Sequence, residues 1–286
     1  MIKRFEETLY HDYAQSFGVE EIYYENKTAH QHLIIFHNAK FGRVMVLDGI
    51  VQTTERDEFI YHEMLAHVPI FSHGAVEGVL IVGGGDGGML REVLRHKDIK
   101  QVTMVEIDET VVEISKKYLP NHARGAFDDP RLRLILSDGA TFIRETDEKF
   151  DVIITDSTDP IGPGESLFSH DYYRGCKGCL TESGILVTQN GVAFFQAEEA
   201  KKTAGFFQQL FKDWHFYSAA IPTYVGGIMV FGWGTDNAML RKIPLETLEA
   251  RYRKSGIATR YYNPAIHRSA FALPQYALEI IEKNKH

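Results

Sequence analysis

Two acids in the stretch Phe150–Phe168, FDVIITDSTDPIGPGESLF, fall where chemistry could be done, Asp156 and Asp159. Val152, Ile153, Ile154 and Thr155 form a β-branched apolar run suited to a strand covered on both faces. Asp156 interrupts that run where the strand should end. Asp159 follows three residues later, and Pro160 and Pro163 stiffen an exit that Gly162 and Gly164 allow to turn. Carboxylates at the carboxyl end of a parallel strand lie where open α/β sheets bind ligands. The same residues also suit a polar turn with a helix cap at Ser166 or Ser169, so the loop alone leaves both readings open.

A second stretch narrows the chemistry. Gly83-Gly84-Gly85-Asp86-Gly87-Gly88 matches G-x-G-x-x-G between an apolar strand and a helix, a pattern that brings backbone close to a nucleotide or nucleoside. Glu106 closes the next strand, where a carboxylate can accept from two ribose hydroxyls. Asp86 departs from a dinucleotide site. Its charge inside the loop opposes a pyrophosphate and favours a cationic, phosphate-free ligand such as a sulfonium nucleoside. Asp138-Gly139 adds a fourth acid at the same rim, suited to an adenine amino group or to capping the following helix, or both. Asp86, Glu106, Asp138 and Asp156 thus sit at the ends of successive strands. Their mutual repulsion costs stability unless a cation is bound.

The elements that must position these acids follow from periodicity. Glu21–Glu25, His32–Phe36, Arg43–Leu47 and Ile50–Thr54 read as short antiparallel strands, so residues 1–55 form a small N-terminal β domain. His30 and His32 read as exposed strand polars. Residues Glu55–Phe71 have helical spacing, with Pro69 ending or bending the element, and carry the polar pair Tyr61-His62. From Gly78 strands and helices alternate: strands at 79–82, 101–107, 132–137, 151–155 and 185–188, helices at 89–96, 109–118, 140–145, 171–180 and 197–211. Two strands then follow in series, near 216–221 and 228–233. The alternation predicts a doubly wound parallel sheet over residues 56–286, and the final strand pair points to the methyltransferase-type Rossmann-like variant with an antiparallel edge.

Composition sets outer limits. Apolar residues at 44% and charged residues at 24% suit a globular protein, and a net charge of −8 argues against a nucleic-acid partner while admitting a cationic ligand. The uncharged run Trp214–Thr235 is long enough to raise a membrane span, but Pro222, Gly226 and Gly227 divide it into two strands and a turn. The opening MIKRFEETLY lacks the apolar core of a signal peptide. The only cysteines, Cys176 and Cys179, fall in a helical stretch and read as reduced structural thiols, in keeping with a cytoplasmic protein.

GGGDGG, MVEID at Met104–Asp108, DDPR at Asp128–Arg131, SDGATF at Ser137–Phe142 and TDSTDPIGPGESLF at Thr155–Phe168 together resemble the polyamine aminopropyltransferases. The likeness extends through DGIVQTTERDEFIYHEM at Asp48–Met64, AIPTYVGG at Ala220–Gly227 and YYNPAIHRSAFALP at Tyr261–Pro274, nearly the whole chain. It implies transfer of the aminopropyl group of decarboxylated S-adenosylmethionine to putrescine, giving spermidine and methylthioadenosine without a metal or resident cofactor. It further implies that Gln31, Gly83, Gly85, Asp86, Glu106, Asp138, Gly139 and Pro163 bind the donor. The acceptor would meet Tyr61, His62, Asp86, Asp156, Asp159 and Tyr224, with Asp156 and Tyr61 at the chemistry. Proximity to Asp159 would raise the Asp156 pKa and a bound dication would lower it. An imidazolium at His62 would repel the acceptor. Family habit points to a homodimer or homotetramer that covers the N-terminal strand edges. The alternatives are a methyltransferase of the same fold using intact S-adenosylmethionine, which does not need the Asp156–Asp159 loop, and a non-catalytic polyamine-binding protein.

Overall fold

The computed structural model describes residues 3–160 and 162–282, except the side chain of Pro163. A hairpin of β1 (Lys3–Glu6) and β2 (Ser16–Val19) packs on an antiparallel meander of β3 (Glu21–Lys27), β4 (His32–Asn38), β5 (Gly42–Leu47) and β6 (Ile50–Thr54). Alternation along β4 splits its buried side chains between two clusters. Phe36 joins Phe17, Val44, Val46 and Val51, whereas Leu33 and Ile35 join Met45 and Leu47 of β5 and Val111 and Leu119 of the larger unit. His32 does open β4, half-buried and 3.6 Å from Glu25, but His30 lies exposed in the turn before it.

Helix α1 (Glu58–His73) joins this unit to the main sheet and is buried along nearly its whole length. The helix runs through Pro69 to a left-handed cap at Gly74, whose N–H donates to Ile70 O at 2.9 Å. Of the two outcomes expected at Pro69, an end or a bend, the end is therefore excluded. Burial on every side of the helix outweighs the one backbone hydrogen bond that a proline forfeits.

The main sheet is built from β7 (Gly78–Gly83), α2 (Gly88–Leu94), β8 (Gln101–Glu106), α3 (Glu109–Tyr118), α4 (Pro120–Ala123), β9 (Leu132–Leu136), α5 (Gly139–Glu145), β10 (Phe150–Asp156), α6 (His170–Gly178), β11 (Leu180–Val192), α7 (Ala197–Leu210), β12 (Asp213–Ala219) and β13 (Met229–Thr235). Its strand order is β12-β13-β11-β10-β7-β8-β9. Strands β9 to β11 are parallel, and β12 and β13 close the edge antiparallel, so the Rossmann-like sheet with its antiparallel end is as the sequence predicts. Val79–Val82 and Val152–Ile154 are almost fully buried, as strands covered by helices on both faces require. Strand order reverses between β7 and β10, which opens a crevice at their carboxyl ends.

Most boundaries shift by a few residues, and three stretches differ more from expectation. Strand β11 runs for 13 residues rather than four, because Gln189 and Asn190 are buried strand residues despite their polarity. It begins at Leu180, so α6 stops at Gly178. The last stretch folds as α8 (Leu245–Ser255), α9 (Pro264–Ala270) and α10 (Gln275–Glu282), which periodicity does not announce. Cys176 and Cys179 are buried free thiols. Among the described residues no helix is long and apolar enough to cross a membrane.

The crevice is closed at its base by backbone. Gly83 has φ +86°, and a Cβ there would lie 2.1 Å from the Asp156 carbonyl oxygen. Gly125 has a similar φ of +82° but open space around it. Gly125→Ala should therefore cost about 1 kcal/mol of backbone strain, and Gly83→Ala at least about 2 kcal/mol more. Urea unfolding of the two variants checks this, and equal midpoints would contradict the close approach.

Candidate active site

Both acidic stretches meet in one pocket in that crevice. Its walls come from the glycine loop, the carboxyl ends of β8 and β10, the start of α5, helix α1 and the N-terminal sheet. Gln31, Tyr61, His62, Gly83, Gly85, Asp86, Glu106, Asp138, Gly139, Asp156, Asp159 and Tyr224 all line it. Pro163 has a side chain outside the described residues, but its neighbours Gly164 and Leu167 line the pocket.

At one end Glu106 is buried, and its Oε1 accepts from Asp108 N at 3.0 Å. Burial raises its carboxyl to about 7 against the pull of the Asp108 and Ile107 N–H groups, with Asp108 and Asp156 adding to the rise. Gly85 has no side chain because one would press on Glu106 Oε2 at 2.9 Å. Asp108 caps α3 through Oδ1, while its Oδ2 accepts from Thr28 Oγ1 at 2.7 Å and Gln31 Nε2 at 3.1 Å. Gln31 is thus fixed from the N-terminal sheet by an acid that sequence reasoning left unassigned. Asp138 caps α5 by accepting from Thr141 N at 2.7 Å, so its capping role is real and its place in the lining is kept as well.

Asp156 occupies the middle of the pocket. Tyr61 Oη donates to its Oδ1 at 2.7 Å across 95 residues of sequence. Burial raises the Asp156 carboxyl to about 6. His62 opposes the rise, Asp86 adds to it, and the Tyr61 hydrogen bond opposes it. The like charge that matters is therefore Asp86 and not the neighbouring Asp159, a correction to the expected pairing. Burial and Asp156 push the Tyr61 phenol far above its usual range, so it stays a donor. Tyr224 stands edge-on to Tyr61, with ring centroids 6.1 Å apart, and donates to the Gln52 carbonyl.

His62 is buried with Nδ1 2.6 Å from Glu58 Oε2 and Nε2 3.6 Å from Asp86 Oδ2. Burial alone would lower its pKa, but Asp86, Glu58 and Asp156 more than offset it and raise the imidazole to about 9. It is an imidazolium at neutral pH, the form expected to repel a cation. Placed against Asp86, its charge is already matched.

Asp159 lies toward a second acidic end. Its Oδ1 accepts from Gln196 Nε2 at 2.5 Å, and burial raises its carboxyl. Glu7 is close enough for Asp159 to raise its carboxyl, although burial is the larger cause and the Val51 N–H and Gln15 oppose it. Tyr10, Gln15 and Gln196 complete this end, and Gln189 Nε2 holds the loop through the carbonyls of Ser157 and Thr158 at 3.2 and 3.3 Å. Sequence reasoning missed these residues. Glu58 could have been found from its i,i+4 spacing to His62. Glu7, Tyr10, Gln189 and Gln196 carry no local signal, because only the tertiary fold brings them to the pocket.

A family model described as the spermine/spermidine synthase domain matches residues 58–243, and one described as the spermidine synthase tetramerisation domain matches residues 5–55. The chain belongs to the spermine/spermidine synthase family. It is 62% identical over 279 residues to polyamine aminopropyltransferase 1 of Pseudomonas aeruginosa, covering 98% of each chain. Identity to the polyamine aminopropyltransferase of Serratia proteamaculans is 58%, over 98% of this chain and 97% of the other. Among solved structures, a spermidine synthase in complex with the transition-state analogue AdoDATO superposes with a TM-score of 0.91 at 34% identity, covering 98% of this chain and 94% of that one. The Thermotoga maritima spermidine synthase gives 0.88 at 33% identity over the same shares.

In this family member the Asp156 carboxyl should titrate near pH 6 when the pocket is empty, far above the ordinary aspartate value of about 3.9. Tyr61→Phe removes a hydrogen bond to the carboxylate form and should raise the midpoint further. Carbon-13 NMR of labelled aspartates measures both, and a midpoint in the ordinary range would refute the proposed burial.

Proposed function

We propose that the protein is a spermidine synthase that transfers the aminopropyl group of decarboxylated S-adenosylmethionine to putrescine. The observation that carries this reading is a single pocket lined by Glu106 and Asp138 and by two further acidic positions, Asp86–Asp156 and Asp159–Glu7. A sulfonium nucleoside and a diamine supply the cations that such a set of buried acids lacks. The family and its spermidine synthase structures support the same choice.

The donor lies with its ribose hydroxyls on Glu106, its base beside Asp138 and Gly139, and the ammonium of its aminopropyl arm on Asp86. One amine of putrescine sits at Asp156 and the other reaches toward Asp159. A protonated amine cannot attack, so one proton leaves first, and Asp156 accepts it or holds the ammonium until water takes it. A carboxylate is a weak base toward an ammonium, so alignment contributes more than basicity. The nitrogen lone pair then forms a bond to the carbon next to sulfur as the C–S bond breaks. The bonding pair moves to sulfur, and methylthioadenosine departs as a neutral thioether. The sulfonium is its own leaving group, so the scheme calls on no cofactor beyond the co-substrate. The Tyr61 phenol keeps the Asp156 carboxylate aimed at the amine.

The tetramerisation-domain match supports a homo-oligomer, a dimer or tetramer joined through the N-terminal sheets. The two buried free thiols support a cytoplasmic location.

Purified protein given decarboxylated S-adenosylmethionine and putrescine should release equal amounts of methylthioadenosine and spermidine, followed by chromatography. Asp156→Asn should lower kcat by roughly 10²–10⁴-fold with donor affinity little changed. Neither product from the wild type, or methyl transfer from intact S-adenosylmethionine, would reject the assignment. A separate expectation concerns donor choice. The carboxylate of intact S-adenosylmethionine would approach Asp86, so Asp86→Asn should shrink the affinity ratio of the two donors by about tenfold or more. Calorimetric binding of both donors reads this, and an unchanged ratio removes Asp86 from selectivity.

A further inference from the structure

A chain of buried charged groups runs from outside the pocket to its centre. Arg91 on α2 donates through a terminal guanidinium nitrogen to Glu58 Oε2 at 2.8 Å. The same Glu58 oxygen meets His62 Nδ1 at 2.6 Å, and His62 Nε2 faces Asp86 Oδ2 at 3.6 Å. Glu58, His62 and Asp86 are all buried, and Arg91 is nearly so. Asp86 Oδ1 is taken by Gly88 N at 2.7 Å. Gly88 is itself explained by this chain, because a Cβ there would lie 2.2 Å from His62 Cε1. The last glycine of the loop therefore makes room for the imidazole rather than for a ligand.

We propose that Glu58 is a positioning residue for the transfer reaction, acting through His62 to hold a positive charge against Asp86 and beside Asp156. The proposal rests on the functional reading above, in which Asp86 takes the donor's ammonium and Asp156 the acceptor's. Between them these two carboxylates would otherwise repel and favour sharing a proton. The imidazolium separates their demands. It is shared with the protein side of Asp86, and its charge lowers the Asp156 carboxyl toward the ionised form that the acceptor amine needs.

The charged and titratable groups around His62 account for its state. Glu58 and Tyr61 lie on its own helix, Asp86 is on the glycine loop, and Asp156 ends β10. Arg91 on α2 bears on Glu58. His122 of α4 stands with its ring 6.4 Å away and is kept low by burial, with His62 and Arg91 pressing the same way against Asp86 and Glu58. Burial likewise opposes charge on His62, so removing the Glu58 charge leaves Asp86 and Asp156 to hold the proton by themselves. Burial opposes ionisation of Glu58 too, yet His62 and Arg91 lower it to about 2, so Glu58 is charged throughout the working pH range. Arg91 keeps Glu92 at 2.9 Å if the Glu58 charge is removed.

Glu58→Gln tests this, since it keeps a group that can accept from Nδ1 and deletes only the charge. The His62 midpoint, read by NMR of labelled histidine and assigned with His62→Gln, should fall clearly below its wild-type value of about 9. The acid limb of kcat/KM for the acceptor should move up by roughly one pH unit. In a His62→Gln background, Glu58→Gln should add nothing further, which a merely structural role would not produce. Glu58→Asp, which keeps the charge but withdraws it, should fall between the two and serves if the glutamine variant does not fold. An unchanged His62 midpoint, or additive effects in the double variant, overturns the proposal. Should the wild type release no methylthioadenosine, the functional reading fails, and the histidine titration still decides whether Glu58 controls His62.

Discussion

One backbone contact holds the two halves of this site together. Gly84 N donates to the Asp156 carbonyl at 3.1 Å, at the point where β7 and β10 part. The glycine loop can lie this close only because Gly83 has no side chain. As a result the Asp86 and Asp156 carboxylates, from strands about 70 residues apart in sequence, share one water-poor space. Asp86 and Asp156 are therefore a single electrostatic unit, and neither can be described by its own loop.

That closeness has a cost. Burial raises Glu106, Asp156, Asp159 and Glu7, and each would be easier to ionise in water. The fold offsets part of this with fixed partners: the Tyr61 phenol on Asp156, N–H groups on Glu106 and Glu7, and the Gln196 amide on Asp159. In the proposed reaction the remainder falls to the substrates, whose ammonium and sulfonium groups would supply the charge the pocket lacks. A site held short of positive charge in this way favours cations over neutral or anionic analogues. It also keeps Asp156, the proposed proton acceptor, near the range where it can still exchange a proton.

The N-terminal sheet is part of the site and not an appendage to it. Gln31 is held on Asp108 at 3.1 Å, Gln52 offers its carbonyl to Tyr224, and Glu7, Tyr10 and Gln15 line the Asp159 end. Buried Asp57, in the turn before α1, accepts from Thr223 N at 2.8 Å and Thr223 Oγ1 at 2.5 Å, which pins the Tyr224 loop to the junction between the two sheets. The shape of the pocket thus depends on how the two sheets pack.

Local chemistry made much of this legible in advance. A strand that loses its apolar run at an acid must end there, so Glu106 and Asp156 could be put at one rim from sequence. The glycine loop told of a nucleoside, and Asp86 within it of a positive charge. Motif likeness extended the assignment to Gln31, Tyr61 and Tyr224, which no periodicity marks. What the sequence by itself determined was the sheet and its rim of acids, because these follow from short-range patterns. Only the tertiary structure decided which acid perturbs which: Asp86 and not Asp159 faces Asp156, and His62 is charged because Glu58 and Asp86 flank it. Electrostatic coupling depends on distance through a low-dielectric interior, and residues adjacent in a loop can point apart while residues far apart in sequence converge.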